Sequence, residues 1–108
     1  MLATAAPPAA TDLAAAVRAR YGARIEAVRL YGSRARGDAH EDSDVDVLVL
    51  VRDLVWQDKI EIAGIASDVS LRTGFHVSAT AMSPEELDRL LALELRFAEN
   101  VVREGVAL

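Results

Sequence analysis

The chain has 108 residues, 52% of them hydrophobic and 27% charged, with a formal net charge of −5. These values fit one soluble globular domain and exclude a multidomain protein, while the acidity argues against a protein that grips long nucleic acid. The chain has no cysteine, which excludes disulfides and a thiolate nucleophile. It has two histidines, His40 and His76, which argues against a zinc site of clustered histidines.

The N-terminal segment is rich in alanine and proline, so residues 1–10 are predicted to form a flexible tail and residues 11–108 a single domain. The segment lacks the positive charge and apolar core of a signal peptide. The apolar run Val47 to Val51 is far short of the ~20 residues that a membrane helix needs. We therefore expect a cytoplasmic protein without a membrane partner.

Helical periodicity starts after the tail. Leu13, Val17 and Tyr21 are spaced four apart, which predicts a helix that begins at residue 11 or 12 and ends at Gly22. Residues 25–31 are predicted to form a strand. The next strand, VDVLVLV at residues 45–51, is apolar on both faces and should lie centrally in a sheet.

Residues 56–73 carry apolar side chains at helical spacing, and Gly74 ends the predicted helix. Residues 75–82 are predicted to form a third strand. Ser83, Pro84 and Glu86 form a capping box that begins a last helix running to residue 105. The order of elements predicts an α/β (α+β) fold with a small mixed sheet of three to four strands flanked by helices, in which Trp56 is a packing residue.

Charge is distributed unevenly along the chain. The segment 18–36 carries six arginines against a single acid, Glu26. The sign then reverses within ten residues, through Asp38, Glu41, Asp42, Asp44 and Asp46. Solvated surface charge explains most such runs; the alternative is a junction where phosphates meet basic groups and a cation meets carboxylates.

Asp44 and Asp46 lie two positions apart on the predicted central strand. Their side chains should project from the same face, with Cα atoms ~6.5 Å apart, a spacing at which two carboxylates can share a divalent cation. Mg²⁺ in phosphoryl-transfer sites is held by one or two carboxylates together with substrate phosphates and water. Leu48 and Leu50 share this face and need a cover, either by helices of the same chain or by a partner.

The turn before the acidic pair suits a phosphate. Gly32 lets the backbone approach an anion closely, and the Ser33 hydroxyl can donate to a phosphate oxygen. Arg34 or Arg36 could neutralise charge on a triphosphate, and spacing alone does not choose between phosphate contact and surface ion pairs for either of them.

The pattern Gly32-Ser33, ten intervening residues and Asp44-Val45-Asp46 resembles that of the minimal nucleotidyltransferases, the smallest branch of the polymerase β-like superfamily. The resemblance extends over nearly all of residues 11–108. It implies a nucleotidyltransferase fold and transfer of a nucleotide from ATP or another NTP to a hydroxyl, with AMP from ATP as the first choice and Mg²⁺, or alternatively Mn²⁺, as the metal. Asp44 and Asp46 would be the catalytic metal ligands, and Gly32 and Ser33, with Arg34 or Arg36, would bind the nucleotide.

The same resemblance implies a partner. Members of this branch are commonly the antitoxin of a toxin–antitoxin pair whose toxin is a helical HEPN ribonuclease, which some members silence by adding AMP to a tyrosine. One departure matters: the family places a third carboxylate on a later strand, and residues 75–82 contain no acid. Ser78 or Thr80 is nearest the expected place, while His76 is predicted to be an ordinary half-buried strand residue.

Other acids are expected on loop and helix surfaces, away from the pair: Asp53, Asp58, Glu61 and Asp68. The missing third carboxylate motivates an alternative from another class, a weak or inactive nucleotidyltransferase-fold module that neutralises its partner by binding. Transfer to a small molecule such as an aminoglycoside is a weaker alternative, because no substrate-binding domain follows the core. An oligomer is possible.

Overall fold

The computed structural model of the protein describes residues 6–40 and 42–108, so the first half of the predicted tail and Glu41 of the acidic run lie outside the described residues. The elements in chain order are α1 (Pro8–Tyr21), a 3₁₀ turn (Gly22–Arg24), β1 (Ile25–Tyr31), α2 (Ser33–Arg36), β2 (Val45–Val51), α3 (Trp56–Thr73), β3 (Val77–Met82), α4 (Pro84–Ala92), α5 (Arg96–Glu104) and β4 (Val106–Ala107).

The four strands form one mixed sheet in the order β3-β2-β1-β4. β1 runs antiparallel to β2 and to β4, and β2 runs parallel to β3, with α3 as the crossover between them. The predicted α/β fold with a small mixed sheet is confirmed, and so is the central position of β2, which has a neighbour on each side.

The two faces of the sheet carry separate cores, since side chains alternate along a strand. The four valines of β2 pack in one core with buried residues of α1 and α3. Leu48 and Leu50 lie on the opposite face, in a second core with residues of β3, α4 and α5. Helices of the same chain therefore cover the face that Asp46 shares, which was one of the two covers expected from the sequence.

The first helix begins earlier than the sequence predicted. It starts at Pro8, whose missing N–H is no loss at a helix N-terminus, and not at residue 11 or 12. Ala9 and Ala10 are fully buried, which places them in the core and not in a tail. Small side chains there permit close packing of α1 on the sheet. That residues 11–108 form the domain stays a prediction.

The single C-terminal helix predicted to run to residue 105 is wrong: it is broken into α4 and α5. Ser83 caps α4 as predicted, accepting a hydrogen bond from the Glu86 amide at 3.1 Å. The chain then turns at Glu94, whose φ of 56° ends helical geometry. Beyond α5, Val106 pairs with Leu30 of β1, an edge strand that the sequence did not predict.

Helix α3 has two apolar stripes, and only one of them faces the sheet. Ile62, Ala66 and Val69 are buried, whereas Trp56 is 72% exposed and Ile60 57% exposed. The prediction that Trp56 is a packing residue is therefore wrong, because the helix rotates its other stripe into the core. Among the described residues, no helix combines the length and apolarity that crossing a membrane requires.

Candidate functional site

The turn after β1 is built around Gly32. Its φ of 77° and ψ of −157° belong to a region that residues with a Cβ essentially avoid. The chain then enters α2, and the amides of Ala35 and Arg36 donate to the Gly32 carbonyl at 3.1 and 3.2 Å. The glycine turn predicted at the end of the first strand is thus present, with Ser33 as the first residue of the short helix.

Asp46 lies directly against this turn. A Cβ built on Gly32 would come within 2.5 Å of Asp46 Oδ2, a distance that real side chains do not show. Glycine is therefore required twice, for its backbone angles and for the space that the Asp46 carboxylate fills. The contact joins two features that lie fourteen residues apart in sequence, and it places the turn beside the acidic pair.

The Asp46 carboxylate is half-buried and has no hydrogen-bond donor among the described residues. None of the hydrogen bonds or ion pairs among residues 6–40 and 42–108 involves its side chain. Burial raises the pKa of Asp46 above its usual value, the negative charge of Asp44 raises it further, and His76 lowers it. A carboxylate whose charged form is disfavoured in this way would be stabilised by a bound cation, which favours the charged form.

Asp44 precedes β2 and is exposed, and it has a partner that was not predicted from the sequence. His76 Nδ1 lies 3.0 Å from Asp44 Oδ1. The prediction of a half-buried strand residue at His76 is wrong: the residue precedes β3, and its side chain is 73% exposed. The signal was the parallel pairing, because Val45 aligns with Val77 and so sets residues 44 and 76 side by side.

Arg34 makes contacts with the protein itself. Its Nε and one terminal nitrogen donate to the Ser43 carbonyl at 3.0 and 2.8 Å, and the guanidinium lies over the Phe75 ring, 5.1 Å from its centre. It thereby ties α2 to the loop that leads into Asp44. This arrangement favours a structural role for Arg34 over the predicted phosphate contact.

Arg36 lies at the exposed end of α2. Its guanidinium is 3.3 Å from Asp38 and 3.7 Å from Glu104. These are the surface ion pairs that the sequence analysis gave as its alternative to phosphate binding. For Ser33, no side-chain hydrogen bond occurs within the part of the chain that the structure describes, so its hydroxyl keeps its donor for a ligand.

The third strand brings no carboxylate to the pair. Ser78 is the register partner of Asp46, and Thr80 pairs with Leu48, its hydroxyl 3.4 Å from that of Tyr31. Of the two positions proposed for the missing acid, Ser78 is therefore the one beside Asp46. A depression next to Asp44 is lined by Arg34, Asp42, Ser43, Gly74, Phe75 and His76.

One of the acids expected on the surface is buried instead. Asp58 is 7% exposed in the first turn of α3, where its Oδ2 accepts from Arg24 at 2.6 Å and from the Val55 amide at 3.0 Å. The Arg24 hydrogen bond, followed by that of the Val55 amide, holds the pKa of Asp58 below its usual range. It is a structural carboxylate and lies on a different element from the acidic pair.

The residues present fit an oxygen-loving divalent cation that brings its own further ligands. Within the described ranges, no group of three or more histidine, cysteine, aspartate or glutamate side chains could hold a metal ion. Asp44 and Asp46 could supply two carboxylates. Mg²⁺ sites of this kind take their remaining ligands from substrate phosphates and water.

Comparison with known proteins gives consistent results. Residues 11–103 match the nucleotidyltransferase domain family. The chain is 32% identical over 93 residues to a protein of Methanocaldococcus jannaschii named "Putative protein adenylyltransferase", and the match covers 86% of this chain and 87% of that protein.

Two solved structures share the fold. One is described as a "putative minimal nucleotidyltransferase", with a TM-score of 0.60 and 27% identity, covering 92% of this chain and 88% of that one. The other is a toxin–antitoxin structure with AMP-PNP, with a TM-score of 0.58 and 19% identity, covering 88% of this chain and 68% of that one.

Proposed function

Because the chain belongs to the nucleotidyltransferase domain family, we propose that it transfers AMP from ATP to a hydroxyl group on a protein. The contact between Gly32 and Asp46 carries the proposal, since it sets a phosphate-binding turn against an acidic pair. The relative from Methanocaldococcus jannaschii, named as an adenylyltransferase of proteins, supports the choice of nucleotide and acceptor.

The chemistry assigns a task to each group. The acceptor oxygen bonds to the α-phosphorus, and the bond from that phosphorus to the oxygen bridging it to the β-phosphorus breaks. Pyrophosphate leaves, and the hydroxyl proton goes to solvent or a nearby base. Asp44 and Asp46 would hold Mg²⁺ or Mn²⁺, which neutralises phosphate charge when bound. The Gly32 turn admits the phosphates closely, and the Ser33 hydroxyl donates to one of their oxygens.

We further propose that the acceptor is a toxin of the HEPN type and that the chain acts as its antitoxin, in the cytoplasm where ATP is available. The toxin–antitoxin structure that shares this fold supports a toxin partner. Asp44 is exposed, so a side chain of another protein can reach this end of the acidic pair.

Transfer of label from α-labelled ATP to the co-expressed partner tests the proposal. We expect Asp44→Asn and Asp46→Asn each to reduce labelling by about 100-fold or more, because each removes a charged metal ligand. Asp68→Asn, on the exposed face of α3, is the matched control and should label like the parent. Unchanged labelling by both site variants, with the fold intact, would exclude these carboxylates from the reaction.

A second candidate has an observation of its own. Ser78 occupies the register position beside Asp46, where a third carboxylate would otherwise help to orient the acceptor. The chain could therefore neutralise its partner by binding alone. Cells that express the partner separate the two: if the Asp44→Asn/Asp46→Asn double variant restores growth as well as the parent, neutralisation needs no transfer, and if it fails while still binding, transfer is required.

A further inference from the structure

The parallel pairing of β2 and β3 places His76 beside Asp44, and a backbone and a side-chain hydrogen bond hold the two segments together. The Val45 amide donates to the His76 carbonyl at 2.9 Å. This backbone hydrogen bond holds the start of β2 next to the residue that precedes β3. The side chains then meet, with His76 Nδ1 3.0 Å from Asp44 Oδ1. An ionised carboxylate can only accept, so the Nδ1–H of the imidazole is the donor.

We propose that His76 is a positioning residue for the metal site: it holds Asp44 Oδ1 so that the second oxygen, Oδ2, is presented together with Asp46 to a divalent cation. The inference rests on the proposed function and extends it to a residue outside the glycine-turn and acidic-pair motif. His76 acts here through Asp44 and is not itself a ligand, because the nitrogen nearest the pair is already donating.

The need for such a group follows from the surroundings of the two acids. Asp46 is fixed by the Gly32 turn, which leaves its carboxylate little room. Asp44 is exposed, and its described side-chain contact is with His76, so without it the carboxylate would rotate among several rotamers. Ser78 supplies no carboxylate to organise the site. A hydrogen bond that orients a ligand therefore has more to contribute here than in a site with three acids.

The size of the effect is limited by exposure. Groups that orient metal ligands commonly change metal affinity by about 10- to 100-fold. Here the His76 and Asp44 side chains are 73% and 55% exposed, and solvent weakens such a pair. We therefore expect loss of the imidazole to weaken metal affinity about three- to tenfold.

Mn²⁺ binding to the whole chain tests the inference without turnover, measured as the fall in the electron paramagnetic resonance signal of free Mn²⁺ relative to the same AMP-PNP solution without protein. His76→Ala should show the three- to tenfold loss. His76→Asn, whose amide nitrogen takes the place of Nδ1, should stay within about twofold of the parent. His40→Ala is the matched control, since it removes the other histidine from an exposed loop, and should bind like the parent.

Kinetics separates positioning from a merely structural role. With His76→Ala the metal concentration for half-maximal transfer should rise about three- to tenfold while kcat at saturating Mn²⁺ stays near the parent value. The melting temperature of the variant should match that of the parent, since both side chains are exposed. A fall in kcat that saturating metal does not restore would contradict a role through Asp44.

The outcomes distinguish the inference from the function beneath it. If Asp46→Asn abolishes Mn²⁺ binding and His76→Ala binds like the parent, the role of His76 is wrong and the metal site stands. If His76→Asn loses as much affinity as His76→Ala, the Nδ1 hydrogen bond is not what matters, and the inference fails. A parent chain that binds no Mn²⁺, or an Asp46→Asn variant that binds as well as the parent, overturns both.

Discussion

Two aspartates withdrawn from water meet opposite surroundings in this molecule. Asp58, at the start of α3, accepts hydrogen bonds from Arg24 and from the Val55 amide, and its pKa is lowered. Asp46, at the start of β2, has none among the described residues, and burial raises its pKa. Among the described residues, Asp58 thus receives two hydrogen bonds and Asp46 receives none.

The different surroundings of Asp58 and Asp46 indicate different roles for the two carboxylates. A carboxylate that accepts hydrogen bonds from its own protein stabilises the fold and gains less from a bound cation. A half-buried carboxylate without donors costs stability in its charged form, and a bound cation removes that cost. The surroundings of Asp46, with Gly32 on one side and Asp44 on the other, therefore support the proposed metal site.

The largest loss of stability should follow from filling the space that Asp46 occupies. Gly32→Ala should lower stability by about 2–3 kcal/mol, and the melting temperature by about 10 °C or more, because the new Cβ meets Asp46 Oδ2 at a backbone geometry reserved for glycine. Gly22→Ala is the matched control: its φ is also positive, but a Cβ there would meet no other described part of the fold within 4 Å. It should cost less than Gly32→Ala, about 1–2 kcal/mol, through backbone strain alone. Equal losses in the two variants would show that the contact with Asp46 is unimportant.

The next change removes the charge from the satisfied carboxylate. Asp58→Asn should lower stability at pH 7 by about 1–2 kcal/mol, since the hydrogen bonds from Arg24 and Val55 lose their ionised acceptor. A carboxylate with a lowered folded pKa stabilises above its unfolded pKa and ceases to do so as pH falls through the folded value. Denaturation curves should therefore converge for parent and variant as the pH drops below about 4. Asp68→Asn, exposed on the same helix, should track the parent throughout.

Much of the fold could be predicted from sequence because the relevant signals are local. β1 and β2 have the predicted bounds. A run such as VDVLVLV, apolar on both faces, is typical of a strand buried in a sheet. The break at Glu94 could not be predicted, because a non-glycine residue with φ of 56° carries no compositional signal and the apolar spacing continues across it. β4 could not be predicted either, as a strand of two residues exists only through its pairing with β1.

The candidate site divides in the same way. Period-two alternation put Asp44 and Asp46 on one face, and the need for a glycine at Gly32 could be read from the turn. The partners of Arg34 and His76 could not, because they lie across the fold: Arg34 contacts a carbonyl nine residues away, and His76 meets Asp44 through the register of two parallel strands. Register and loop path are set by the assembled core, which no local pattern specifies.

A smaller effect of opposite sign is expected at the unsatisfied carboxylate. Asp46→Asn should raise stability at pH 7 by up to about 0.5 kcal/mol, because the folded state no longer bears a poorly solvated charge beside Asp44. Because the pKa of Asp46 is raised in the folded state, the protonated carboxyl favours folding of the parent at low pH, and this contribution is lost as pH rises through the folded pKa. The gain in stability from Asp46→Asn should therefore vanish below about pH 4. Thermal denaturation across this range measures it. A variant less stable than the parent at pH 7 would show that Asp46 is already satisfied.

The smallest effect should come from an ion pair that resembles that of Asp58 only in its chemistry. Arg36 and Asp38 lie 3.3 Å apart with side chains 43% and 62% exposed, whereas the Asp58 side chain in the other pair is 9% exposed. Because water and salt screen the exposed pair, Arg36→Ala should change stability by less than about 0.5 kcal/mol, with no further change in 0.5 M salt. Chemical denaturation measures the difference. A loss above about 1 kcal/mol would mean that burial is not what separates the two pairs, and the contrast between Asp46 and Asp58 would then need another cause.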